Sequence, residues 1–85
     1  MHFVYILESL RTGRFYIGQT DNLLRRFDQH RSGYNKSTRG RGPWWMPYYE
    51  TYATRVEATG REAQLKRLKS ARAIHALIDG TYSSL

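Results

Sequence analysis

The chain of 85 residues contains no cysteine. That removes disulfide staples, thiolate nucleophiles and any zinc site built on sulfur. Histidine is sparse as well: His2, His30 and His75 are too few and too scattered to argue for a metal cage. No apolar run approaches the roughly 18 residues a membrane helix needs. The opening MHFVYILESL has no basic stretch ahead of its apolar residues and carries Glu8, so it does not read as a secretory signal. Acids are the scarcer charge, seven Asp and Glu against fourteen Lys and Arg, for a formal net charge of +7. Such a field favours polyanions, and nucleic acid is the commonest polyanion in a cell; the blander reading is a basic surface kept for solubility or ribosome association. With 40% hydrophobic residues the chain is too apolar for a disordered one. A soluble cytoplasmic protein is expected, with residues 1–85 forming one small domain that buries about 60–65% of its unfolded surface.

The first nineteen residues read as a β-hairpin. Phe3 to Leu7 and Arg14 to Gly18 are rich in aromatic and β-branched residues, and Ser9 to Gly13 between them is short, polar and ends in glycine. A loop centred near Leu10-Arg11 sets Tyr5 opposite Tyr16, and a longer loop shifts that register by a residue or two while keeping them close. Thr20-Asp21-Asn22 then supplies capping side chains, and Leu24, Phe27 and Arg31 recur at helical spacing, which predicts a helix from about Asn22 to Arg31. On it Arg26 and His30 are four apart and share a face. Ser32 to Pro43 is glycine-rich, basic and aperiodic, hence a loop, and no acid occurs between Asp28 and Glu50.

Trp44 to Tyr52 predicts a third strand edged or interrupted by Pro47, with one of the adjacent tryptophans turned inward and the other outward. Thr54 and Glu57 have the spacing of a capping box opening a helix to about Lys69. Ser70 caps another, in which Ala71, Ile74, Leu77 and Ile78 make an apolar stripe that Gly80 ends. The element order is β-β-α-β-α-α, and mixed α/β (α+β) packing in one layered domain is its natural product.

Glu62 is the anomaly in this pattern. Ala58, Glu62 and Leu65 fall at i, i+4 and i+7, so a carboxylate lies on or beside the stripe the helix should bury. Burying it unpaired is expensive; it needs a cation, Arg26 or another, or else a metal or hydrogen-bond donors. Two phenols, a guanidinium, an imidazole and one acid beside a basic loop are parts that phosphodiester hydrolysis can use. A hard divalent ion held by one carboxylate, waters and substrate phosphate suits Mg²⁺ rather than zinc. Arg25, Arg31, Lys36, Arg39 and Arg41 are candidate phosphate contacts, while Tyr34 and the tryptophans could stack on bases.

With these residues in view the sequence resembles the GIY-YIG nuclease family, in particular its small single-domain bacterial members, over about Phe3 to Ile78. The first triplet stands here as Phe3-Val4-Tyr5, without the glycine, and the second, intact, as Tyr16-Ile17-Gly18. The family's helix arginine matches Arg26, the histidine one turn later His30, and the metal-binding glutamate Glu62. Gln19 stands where the repair nucleases look to carry lysine. The resemblance implies a three-stranded antiparallel sheet flanked by helices, and a magnesium or manganese ion (Mg²⁺ or Mn²⁺) held by Glu62. Tyr16 becomes the general base or water-positioning group assisted by Tyr5, Arg26 the stabiliser of the transition state, and His30 an orienting or proton-shuttling group. The substrate implied is nucleic acid, DNA ahead of RNA, cut by structure more than sequence, with a protein partner able to supply specificity. A non-catalytic nucleic-acid-binding module acting through the basic loop with a partner remains the alternative, and a protein-interaction or ribosome-associated factor using the aromatics of Trp44 to Tyr49 a third. On the hydrolytic reading Tyr5, Tyr16, Arg26, His30 and Glu62 should meet in one open concavity.

Overall fold

Two short β-rich segments joined by a polar turn have little choice but to pair, and they do. In the computed structural model, which describes residues 1–80, strand β1 (His2–Ser9) lies antiparallel to β2 (Phe15–Thr20). The four-residue loop between them closes with Ser9 N–H donating to the Arg14 carbonyl and Gly13 N–H to the Ser9 carbonyl, and Gly13 adopts φ +75°. This longer loop moves the register by two, so Tyr5 sits opposite Gly18 and Leu7 opposite Tyr16. The tyrosines keep a common face as diagonal neighbours.

Helix α1 (Leu23–Arg31) starts from Asn22, whose side chain accepts the Arg25 N–H, and ends at Ser32 before Gly33 in the left-handed region. After the basic loop the chain returns as β3 (Trp44–Tyr52) on the other side of β1, giving strand order β2-β1-β3. Pro47 is tolerated because β3 is an edge strand with a bulge there: Met46 and Pro47 together face Leu7. Trp44 is buried and Trp45 exposed, as strand alternation requires.

Thr54 opens α2 (Arg55–Lys66) with the expected capping box. The helix stops three residues short of Lys69, which takes φ 52° in the connection, and Ser70 caps α3 (Ala71–Ile78). Ala71 proves exposed; Ile74, Leu77 and Ile78 carry the packing. The sheet is therefore covered on two faces. Val4, Ile6 and Ile17 pack with Ala58, Leu65 and Ile74 of α2 and α3, while Tyr5, Leu7 and Trp44 pack with Leu23 and Phe27 of α1. No helix among the described residues is long and apolar enough to cross a membrane.

A polar cluster pins α2 to β3. Arg61 grips Glu50 with two guanidinium bonds (2.8 and 3.0 Å), and the hydroxyls of Tyr52 (2.6 Å) and Tyr48 donate to the same carboxylate. Burial works against the charge on Glu50, but Arg61 and the two phenols outweigh it and hold the carboxyl below its ordinary value of 4.5. Burial beside this anion pushes both phenols up to about 12. Because the folded-state value lies below the unfolded one, Glu50 contributes stability that is complete above pH 4.5 and lost as pH falls through its depressed value. Urea unfolding from pH 7 to pH 3 should show this acid limb in the native chain, and a Glu50→Gln variant should show a flatter one.

Candidate functional site

The face of the sheet under α1 holds a chain of hydrogen bonds built from three elements. Tyr5 projects from the central strand and is fully buried. Its hydroxyl lies 2.8 Å from His30 Nε2 and accepts from Arg26 Nε at 3.3 Å, so the i, i+4 pair on α1 closes on one phenol. On the far side of the imidazole, His30 Nδ1 is 2.8 Å from Thr38 Oγ1 in the basic loop, and the Thr38 hydroxyl donates to the Asn35 carbonyl at 3.5 Å. Counting protons fixes the tautomer. Arg26 donates to the Tyr5 oxygen, whose own proton then goes to Nε2, so a neutral His30 carries its proton on Nδ1, toward Thr38. Donation therefore runs Arg26 to Tyr5 to His30 to Thr38, each bond polarising the next.

Electrostatics follow from this enclosure. Burial drives the Tyr5 phenol up to about 12, against the opposing pull of Arg26, with Tyr16 and Glu62 adding to the rise. Tyr5 is thus a held proton, not a base at neutral pH. Burial, and then the nearby Arg26 charge, lowers His30 to about 4, so the imidazole is neutral. Burial works against the charge of Arg26, yet its bond to Tyr5 and the nearby Tyr16 phenol raise its pKa above the ordinary value. Its Nη1 donates to Gln29 at 3.0 Å, and no carboxylate pairs with it among the described residues. Tyr16, partly exposed, packs its ring 4.8 Å from His30 and 6.3 Å from Tyr5.

Glu62 reaches this group from the opposite face, around the free edge of β2. Gly18 and Gln19 are consecutive there, so their side-chain directions oppose. The Tyr5 hydroxyl covers Gly18 so closely that a Cβ would lie 2.6 Å from it, while Gln19 Nε2 donates to Glu62 Oε1 at 3.0 Å and to Thr59 at 2.9 Å. The other Glu62 oxygen meets Lys66 Nζ at 3.0 Å. The cation that answers the buried-stripe carboxylate is therefore Lys66, not Arg26. Instead of all five side chains opening into one hollow, Tyr16 lines a cavity of about 430 Å³ and His30 a separate one of about 420 Å³, and Tyr5 is sealed.

A divalent ion would have oxygen donors at the β2 edge. Gln19 Oε1 is buried without a partner, next to the Glu62 carboxylate. One carboxylate and one amide oxygen, with the remaining positions left to water and phosphate, fit Mg²⁺ or Mn²⁺ held jointly with a substrate. No cluster of three or more His, Asp or Glu exists among the described residues to form a self-sufficient cage.

Of the candidate phosphate contacts, Arg25 pairs with Asp21 at 3.7 Å on the exposed helix face. Arg31 lies over the Phe27 ring, Lys36 and Arg39 are exposed in the loop, and Arg41 lines the Tyr16 cavity. Thr38 and the coupling of Gln19 to Glu62 escape a reading of the sequence. Gly18 does carry a signal, since glycine within a strand marks close approach of another group.

A family model described as the GIY-YIG catalytic domain matches residues 1–74. A UPF0213 protein of Clostridium perfringens is 41% identical over 69 residues, spanning 80% of this chain and 73% of its own. Another from Halobacterium salinarum is 37% identical over 73 residues, spanning 85% and 94%. The solution NMR structure of a UPF0213 protein from Bacillus halodurans aligns with a TM-score of 0.57 at 38% identity, over 92% of this chain and 82% of that one.

Two measurements probe the hydrogen-bonded chain. Between pH 6.5 and about 4 the unfolded chain binds a proton that folded His30 refuses, so stability should fall as pH drops through that window. NMR titration should place the His30 imidazole near 4, and His30→Asn should flatten that part of the stability profile. Gly18→Ala, which forces a methyl onto the Tyr5 hydroxyl, should cost about 1–3 kcal/mol in denaturant unfolding and shift the His30 ring signals.

Proposed function

The chain belongs to the GIY-YIG family, and we propose that it is a metal-dependent nuclease that hydrolyses phosphodiester bonds in DNA, selecting structure over sequence. The observation that carries this reading is Arg26, a partly buried guanidinium bonded to the Tyr5 phenol, with no carboxylate paired to it among the described residues. Such a cation is set for an anion brought by a ligand, and arginine matches the oxygens of a phosphoryl group.

Each side chain then has a role that follows from its state. Arg26 faces the non-bridging oxygens and stabilises the charge that grows on them as water attacks phosphorus and the P–O bond to the leaving strand breaks. Tyr16, the accessible phenol, positions that water and relays its proton to solvent in the open cavity, while solvent returns a proton to the departing oxygen. Tyr5 and neutral His30 keep Arg26 and the Tyr16 ring in place. Glu62 and the free oxygen of Gln19 would hold Mg²⁺ or Mn²⁺, whose chemistry is to neutralise phosphate charge and acidify a bound water.

A second reading draws on Lys66 and Gln19, which already occupy both oxygens of Glu62. If that pairing persists with substrate, the protein is a nucleic-acid-binding module that acts with a partner and does not cut. Branched, nicked and intact DNA, and RNA, incubated in Mg²⁺, Mn²⁺ or chelator separate the two. Hydrolysis requires cleavage of branched or nicked DNA that chelator abolishes. Glu62→Ala or Arg26→Ala should then lose about 10²–10³-fold in kcat, and Tyr16→Phe about 10²–10⁴-fold. Binding without cleavage in any metal establishes the second reading, and cleavage untouched by Glu62→Ala overturns the mechanism.

A further inference from the structure

The cavity beside Tyr16 is walled by two loops that the fold locks together. Thr12 and Arg14 come from the β1–β2 loop and its end, Ser37 and Arg41 from the basic loop, and Trp44 closes the back. Three hydrogen bonds tie these walls: Ser9 Oγ donates to the Arg41 carbonyl (2.7 Å), Leu10 N–H to the Pro43 carbonyl (2.8 Å) and Arg11 Nη2 to the Gly40 carbonyl (2.5 Å). Ser9 Oγ also accepts the N–H groups of Arg11 and Thr12, so one buried hydroxyl organises the first loop and fastens it to the second.

These bonds commit Arg11 and leave the guanidiniums of Arg14 and Arg41 with no partner among the described residues. No acid lines the cavity, whose volume of about 430 Å³ is ample for a phosphate and its sugar. Thr12 Oγ1 accepts the Arg14 N–H at 3.2 Å, which leaves its own proton for another acceptor. Two guanidiniums that line one cavity without a counter-ion among the described residues, on loops tied together by three hydrogen bonds, form a receptor for an anion. Arg26 is not among its lining residues, so this is a place distinct from the cation assigned to the scissile phosphate.

We propose that this cavity is a second phosphate subsite, in which Arg14 and Arg41 hold the phosphate adjoining the scissile one on the same strand. The inference rests on the hydrolytic reading for the place of Tyr16. It gives the substrate class: a nucleic-acid strand that continues past the cut toward the β1–β2 loop, rather than an isolated phosphodiester. Thr12 and Ser37 offer hydroxyls to the same phosphate.

The test is the salt dependence of binding by a fluorescein-labelled 12-nucleotide single strand, read by anisotropy in chelator so that nothing is cut. For single strands each lost phosphate contact lowers the slope of log K against log salt by about 0.7. Arg14→Gln and Arg41→Gln should each lower it by about that much, and the double variant by about 1.4. Arg72→Gln, exposed on α3 and not among the residues lining the cavity, should leave it unchanged. All four variants should keep the thermal midpoint of the native chain, because each side chain is exposed. Unchanged slopes in Arg14→Gln and Arg41→Gln, or an equal drop in Arg72→Gln, overturn the subsite in favour of a diffuse field. If the slopes fall but the native chain cuts nothing in any metal, the subsite stands and hydrolysis fails. If cleavage depends on Glu62 while the slopes stay fixed, hydrolysis stands and the subsite fails.

Discussion

Tyr5 has one proton to give and two neighbours that need different things from its oxygen. Arg26 donates to it and His30 accepts from it, and strand and helix must be in register for both bonds to form. Because the hydroxyl is sealed against Gly18, no water can stand in for either partner at low cost. The position of α1 on the sheet, the tautomer of His30 and the seat of Thr38 all follow from that constraint. So does the division of labour between two chemically identical phenols: one is buried as a structural donor, and the other, two residues from its cross-strand register, is left accessible.

The charge layout has the same economy. Glu8, Asp21, Glu50, Glu57 and Glu62 each answer a nearby cation, indole or backbone N–H group. These acids are used locally, and much of the basic surplus stands where acids are missing, along the loop from Arg31 to Arg41 and the adjoining β1–β2 loop. The net charge of +7 is thereby weighted toward these two loops, with Arg55, Arg67, Lys69 and Arg72 adding a thinner basic cover along α2 and α3.

Much of this was legible in the residues themselves. The order of elements, the caps at Asn22, Thr54 and Ser70, and the inward and outward tryptophans follow from local chemistry acting over a few residues. What escaped depends on distances a sequence does not carry. The two-residue shift at Tyr5 and Tyr16 arises because Gly13 lets the turn close as a four-residue loop. Glu62 could be seen to need a partner, but the choice of Lys66 and Gln19 over Arg26 depends on α2 lying across the sheet from α1. His30 reads as an exposed helix position until the loop bearing Thr38 folds over it. The early end of α2 reflects Ser70 capping the next helix, which leaves Lys69 to turn the corner.

Among the described residues the sheet has one interior strand, and both outer strands present backbone groups along their free edges. On β3 the bulge and Pro47 interrupt that offer, since proline brings no N–H and the extra residue twists the ladder away. A neighbouring copy finds no continuous edge to extend along β3, and mutual repulsion between strongly cationic chains opposes the approach at β2 as well. Residues that look like irregularities in a strand therefore blunt one of the sheet's two edges as a template for another chain.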